Sequence, residues 1–266
     1  MNQLLHKIVA VKEAEVARLR QNSKLLDFKR QLDSGASPVH EARFHSALQR
    51  KAGQPLGIIA ECKKASPSLG LIRSDYDPVQ IARNYAELGA SAVSVLTDQD
   101  FFQGSLLDLT NVSAALPIPV LRKDFTISEL QIYEAAQNGA SAVLLIVRIL
   151  DPEQLKDLYQ VALAIGLDVL VETHNEAEIE AALAIKANII GINHRNLDTL
   201  LMDLDLSPRM IPLIRRHDPG CVVIAESGIE NKAGLAKVRD IADAILIGSA
   251  LMQSADISAA WHGLFD

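Results

Sequence analysis

The chain has 266 residues, 49% of them hydrophobic, with a formal net charge of -7. That length and apolar content suit one large α/β domain spanning 1–266 better than two small ones. The acidic balance argues against nucleic acid as a partner, no apolar run reaches the length of a membrane span, and no signal peptide is visible, so a cytoplasmic protein with no membrane partner is expected.

Residues 3–20 read as a helix, with Leu4, Leu5, Ile8, Val9, Val11, Val16 and Leu19 as an apolar stripe broken by Lys, Glu and Arg. Segments 25–32 and 41–48 read as two further short helices, separated by a turn cluster over 33–38. All three precede any strand. Residues 1–50 are therefore expected to form a helical extension that docks on a main body, 51–266.

From Leu56 onward a short apolar strand, a polar loop and an amphipathic helix recur. The expected strands are 57–63, 92–97, 120–125, 142–147, 169–172, 189–193, 222–226 and 244–247. Leu88-Gly89-Ala90-Ser91-Ala92-Val93 is echoed by Asn138-Gly139-Ala140-Ser141-Ala142-Val143, each with a glycine closing a helix. Eight such units read as a (β/α)8 TIM barrel with an N-terminal helical extension. A doubly wound sheet would usually carry a G-x-G-x-x-G turn, and none occurs. Cys62 and Cys221 lie inside apolar runs and read as two buried free thiols, which suits a reducing cytosol.

In this fold the site forms at the carboxyl ends of the strands. Strand side chains alternate faces, so Glu61 and Lys63 point one way and Cys62 the other. A structural ion pair at a solvated strand end is the ordinary explanation of such a triplet. Polar residues recur, however, at the same end of strand after strand: Lys123 on the third, Glu172 on the fifth, Asn193 and Arg195 on the sixth, Glu226-Ser227 on the seventh. Ser227-Gly228 and Gly248-Ser249, after the last two strands, leave backbone N–H groups free to hold a phosphate. A tight turn would ask for the same glycines. The seven histidines, His40 among them, show no metal spacing, and His174 and His194 read as wall residues. Ser66, beside Pro67 in a loop, has no His partner and reads as a binding residue.

With these segments assembled, the chain resembles the indole-3-glycerol-phosphate synthase family of tryptophan biosynthesis. The matching stretches are 61–68, 94–98, 102–105, 121–125, Glu172, 191–197, 226–229 and 246–252, in order along the whole barrel. His194 departs from the family, which usually has Asn, Ser or Asp there. Its outward parity implies an effect on packing or loop shape.

The resemblance implies a phosphosugar substrate, 1-(2-carboxyphenylamino)-1-deoxyribulose 5-phosphate, and ring closure with loss of carbon dioxide and water. It implies Lys123 as general acid and Glu172 as general base of the dehydration. Lys63 is a second ammonium that binds the substrate or donates a proton, and the sequence leaves those jobs undivided. Glu61, Asn193 and Arg195 would orient lysines and hydroxyls, and Ser66 and Ser227 would bind substrate. Phe102 and Phe125 would wall the aromatic ring or simply pack. Lys63, Gly228, Gly248 and Ser249 match the phosphate site. No metal or organic cofactor is implied, and a monomer or weak homodimer is expected. Two alternatives remain at this stage. Another phosphosugar barrel, such as phosphoribosylanthranilate isomerase, would lack the Glu61/Lys63/Lys123/Glu172 set. A non-catalytic phosphate-binding barrel would have lost at least one of the four.

Overall fold

The computed structural model describes residues 3–35 and 43–266. Eight parallel strands close into a barrel: β1 (Gly57–Cys62), β4 (Ala92–Leu96), β5 (Val120–Lys123), β6 (Ala142–Ile146), β7 (Asp168–Thr173), β8 (Ile189–Asn193), β9 (Val222–Glu226) and β10 (Ala244–Ile247). They pair with their chain neighbours, and β1 pairs with β10 to close the ring. The strands fall where the apolar runs place them. Several end a residue or two earlier than expected, because Lys63, Thr97, Asp124 and Phe125 already belong to the loops.

Alternation along each strand separates two apolar layers. Ile59, Leu121, Leu144, Leu170, Ile189, Ile224 and Leu246 fill the barrel, while Ala60, Cys62, Val93, Val143, Val171 and Val223 face the helices. Cys62 and Cys221 are both buried and free. The echoed sequence makes an echoed joint. Ser91 N donates to Ile58 O and Ser141 N to Val120 O, each at 2.8 Å. The Ser91 and Ser141 hydroxyls then accept from Ile58 N and Val120 N, each at 3.3 Å.

The helices begin where their caps dictate. Asp77 caps α4 (Pro78–Glu87), Ser105 caps α5 (Leu106–Ala115) and Ser128 closes a capping box on α6 (Glu129–Gln137). Asp151 precedes α7 (Pro152–Ala164) and Asn175 precedes α8 (Glu176–Ala184), each accepting from a first-turn N–H. α9 (Leu206–His217), α10 (Lys232–Ala236), α11 (Ser249–Met252) and α12 (Ile257–Phe265) complete the outer ring.

The extension uses both ends of the barrel. α1 (Gln3–Leu19) buries Leu5, Ile8, Lys12 and Val16 along one stripe, and Leu4, Leu5 and Ile8 reach the mouth. α2 (Ser23–Asp33) is tied to α6, with the Tyr133 hydroxyl donating to Asp33 Oδ1 at 2.5 Å. α3 (Phe44–Leu48) plugs the opposite end. Phe44 and Leu48 join the interior layer, a contribution of about 1.5–3 kcal/mol each. There His45 N donates to Asp168 Oδ2 at 2.9 Å. The third helix was expected from residue 41. Residues 41–42 lie outside the described residues, as do His40 and 36–38 of the turn cluster, and the observed helix starts after Arg43.

One element departs from expectation. The stretch around Ser66 forms a small antiparallel hairpin rather than a plain loop: β2 (Ala65–Ser66) pairs with β3 (Gly70–Leu71). Pro67, Ser68 and Leu69 make its tip, and Gly70, at φ 66°, supplies the left-handed turn residue. Among the described residues, no helix is long and apolar enough to cross a membrane.

Candidate active site

A cleft at the carboxyl ends of the strands is lined by every site residue expected from the sequence: Glu61, Lys63, Ser66, Phe102, Lys123, Phe125, Glu172, Asn193, Arg195, Ser227, Gly228, Gly248 and Ser249. These residues come from seven different strand ends and the loops that follow them. The closed register brings them together.

On its floor, Lys123 Nζ lies 2.8 Å from Glu172 Oε2 and 2.9 Å from Glu226 Oε2. Both carboxylates are fully buried. Burial alone would push the Lys123 ammonium down, but Glu172, Glu226 and Glu61 together outweigh it and hold the group well above the usual lysine range. The two carboxylates divide. For Glu172, burial raises and Lys123 and His174 lower, and the net direction is down. Glu226 is pushed up, first by burial and then by repulsion from Glu172, against the pull of Lys123. Among the described residues no donor reaches Glu226 Oε1.

Two glycines make room for this cluster. A Cβ at Gly191 would fall 1.9 Å from Glu226 Oε1, and one at Gly248 would fall 2.5 Å from Glu61 Oε1. The second contact gives Gly248 a role toward Glu61 that the turn pattern did not suggest. At the end of β1, Lys63 Nζ donates to Glu61 Oε1 at 2.6 Å. Asn193 does not reach either lysine ammonium by a hydrogen bond; its Oδ1 accepts from Arg195 N at 3.0 Å. Ser66 Oγ accepts from Leu69 N at 3.2 Å and holds the hairpin tip over the cleft. The rings of Phe102 and Phe125 lie 6.1 Å apart, tilted by 40°.

After β9, Ser227 and Gly228 both adopt left-handed backbone, at φ 67° and 75°. His194 supports that turn. It is buried, its Nδ1–H donates to Ser227 O at 2.9 Å, and its Nε2 accepts from Ser207 Oγ at 2.7 Å. Burial comes first among the causes that push His194 below the usual histidine range. His174, also a wall residue, touches the cluster directly. Its Nε2 is 3.2 Å from Glu172 Oε1 and its Nδ1 is 2.9 Å from Glu178 Oε2. Burial opposes its charge, yet bonds to Glu172 and Glu178 raise it to about 9, so it carries a proton at neutral pH. Arg148 extends the chain outward, its Nε donating to Glu178 Oε1 at 2.8 Å.

Sequence reasoning missed several of these partners. Glu226 sits at the inward end of its strand, as Glu61 does, and that parity was a usable signal. Leu4, Leu5 and Ile8 of α1 gave none, since an amphipathic stripe does not say what it docks against. Lys, Glu and Arg were expected to break that stripe, yet one of them, Lys12, is buried in it. Among the described residues, no three His, Cys, Asp or Glu side chains are arranged to hold a metal ion.

Fold and site together define a (β/α)8 barrel of the enzyme class, with a buried ammonium–carboxylate cluster at the carboxyl mouth of the barrel. The profile of the family described as indole-3-glycerol phosphate synthase matches residues 5–264. A Leptospira interrogans protein of that name is 52% identical over 208 residues, 78% of this chain and 81% of its own. One from Chlorobium phaeovibrioides is 44% identical over 260 residues, 97% of this chain and 98% of its own. One from Polaromonas sp. strain JS666 is 41% identical over 268 residues, 100% of this chain and 99% of its own. The chain belongs to the indole-3-glycerol phosphate synthase family.

Proposed function

We propose that the protein converts 1-(2-carboxyphenylamino)-1-deoxyribulose 5-phosphate to indole-3-glycerol phosphate, and that the cluster around Lys123 carries the chemistry. The observation that supports this most is the Lys123 ammonium held 2.8 Å from Glu172 and 2.9 Å from Glu226 on the barrel floor.

Ring closure needs the aryl carbon that bears the carboxylate to attack the ribulose carbonyl carbon. Negative charge then builds on the carbonyl oxygen. Lys123 stays an ammonium across the neutral range, since its carboxylate neighbours raise its pKa. It stabilises the oxyanion and delivers the proton that makes it a hydroxyl. The carboxylate leaves as carbon dioxide, and the electrons of the broken C–C bond restore the aromatic ring. The new hydroxyl then takes a proton from Lys123, recharged from solvent after ring closure, and leaves as water, while Glu172 takes the proton from the neighbouring ring carbon. A depressed Glu172 keeps the carboxylate free of its own proton and ready for that step. Bases work best near the operating pH, so this one trades basicity for availability.

The two lysines divide by their partners. Lys63, paired with Glu61 alone, binds the substrate's phosphate or carboxylate, leaving Lys123, held between Glu172 and Glu226, as the acid of ring closure. Ser227, Gly228, Gly248 and Ser249 offer backbone N–H groups to the phosphate. Phe102 and Phe125 wall the aromatic ring, with Leu4, Leu5 and Ile8 of α1 as its roof. Ser66, Asn193 and Arg195 complete the substrate pocket. A cytoplasmic location and a monomer or weak homodimer belong to the same proposal. Turnover of the carboxyphenylamino substrate, followed by indole fluorescence, tests it. Product from the wild-type protein is expected, and no product would overturn the reading.

A further inference from the structure

The N-terminal helix carries a buried cation that the ring-closure chemistry does not use. Lys12 has no solvent exposure, and its Nζ lies 2.7 Å from Asp98 Oδ2 and 2.9 Å from Asp124 Oδ1. Glu15, one helical turn on, comes within 3.1 Å. The two aspartates follow the ends of β4 and β5 and are themselves buried. Their charge outweighs the burial that opposes it and keeps Lys12 an ammonium. A lone buried lysine would neutralise instead.

Each aspartate holds a piece of the cleft. Asp98 Oδ1 accepts from Phe101 N at 2.7 Å and Phe102 N at 3.1 Å, which fixes the turn carrying the Phe102 ring. Asp124 Oδ1 accepts from Phe125 N at 2.8 Å, and Asp124 directly follows Lys123. Its Oδ2 is bonded by Thr97 and lies near Arg122, whose guanidinium donates to Gln131 O at 2.8 Å. A single ammonium thus joins the roof helix to both aromatic walls and to the strand end that presents the acid.

We infer that Lys12 is a positioning residue of the active site, which sets the Phe102 and Phe125 walls and the Lys123 strand end through Asp98 and Asp124. The inference rests on the ring-closure reading for its kinetic consequence but not for its structural one. A displacement of about 1 Å in a reacting group costs on the order of 10²-fold in rate. Loss of the Lys12 charge also strips the buried Asp98 of its cation and leaves Asp124 with Arg122 alone.

The test compares Lys12→Met, the gentler Lys12→Met/Asp98→Asn and Lys12→Arg with Tyr133→Phe. The double variant keeps the Asp98 acceptor for the Phe101 and Phe102 amides while removing one uncompensated charge. Tyr133→Phe loosens the same extension at α2 without touching either aspartate. Both Met variants are expected to lose about 10²-fold in kcat/KM, shared between a higher KM and a lower kcat. Lys12→Arg should recover most of it, and Tyr133→Phe should stay within about twofold of wild type. A partly unfolded sample lowers apparent kcat and leaves KM alone, so the KM rise separates positioning from mere stability. Hydrogen exchange reads the same effect without turnover: the Phe101, Phe102 and Phe125 amides should exchange faster in the Met variants and not in Tyr133→Phe. Folded Met variants with wild-type KM and unchanged exchange at those amides would overturn the inference. Failure of the ring-closure reading would show separately, as a wild-type protein with no turnover, and the exchange comparison would still decide Lys12.

Discussion

Gly191 lies against the carboxylate of Glu226 so closely that a Cβ there would fall 1.9 Å from Oε1. The glycine is what allows Glu226 to lie flat on the barrel floor and reach Lys123 at 2.9 Å. Gly191→Ala should expel that carboxylate and shift the ammonium toward Glu172. A loss of about 10²-fold in kcat is expected, as for other misplacements of this size. Steady-state kinetics check it, with circular dichroism to establish that the barrel is intact.

Lys63 and Lys123 should separate in kinetics as they do in partners. Lys63 pairs with Glu61 alone, 2.6 Å away, whereas Lys123 sits between Glu172 and Glu226, and binding is the role proposed for Lys63. Lys63→Met should therefore raise KM more than it lowers kcat. A variant with normal KM and a collapsed kcat would move Lys63 into the acid–base chemistry. Saturation curves for the two variants decide it.

The turn after β9 is expected to disfavour a side chain at Gly228. Its φ is 75°, and a Cβ there would displace the flexible end of Met202 and press on Leu204 Cδ2 at 2.9 Å. Gly228→Ala should cost about 1–3 kcal/mol of stability from backbone strain, and should weaken phosphate-bearing substrates as Ser227 and Gly228 move. Thermal melts and competition by inorganic phosphate measure the two effects.

His174 makes a pH prediction. Its folded pKa stands at about 9 against an ordinary 6.5, because Glu172 and Glu178 outweigh burial. For a group raised on folding, the stabilisation is complete below the unfolded value and is lost as pH rises through the folded one. The wild-type protein should lose stability between about pH 6.5 and 9, and His174→Gln should show a flatter slope over that window. Urea unfolding at a series of pH values checks the difference.

Much of the candidate site was legible in residues that face one way at one end of the strands. Glu61 with Lys63, Lys123, Glu172 and Asn193 followed from strand parity and βα spacing, because a buried parallel strand has little other reason to end in charge. Glu226 obeys the same rule and carries the same signal. Lys12 could not be assigned so easily. On a helix the apolar stripe tolerates a single lysine by snorkelling, and its two aspartates lie more than eighty residues away in sequence. Gly191 and Gly248 read as strand and turn glycines, and only the carboxylates packed on them reveal why no Cβ fits. The hairpin at Ser66 was missed because two-residue strands carry no periodicity. Local pattern reveals the barrel and its polar rim, whereas contacts made by docking the extension appear only in three dimensions.

The most direct test of the account is single-turnover ring closure by the wild-type protein and Lys123→Ala, side by side, read by indole fluorescence. Wild type should form indole-3-glycerol phosphate. Lys123→Ala should bind substrate and close the ring slower by about 10²–10⁴-fold, the usual contribution of a positioned acid. A folded Lys123→Ala protein that turns over at nearly the wild-type rate would contradict the account.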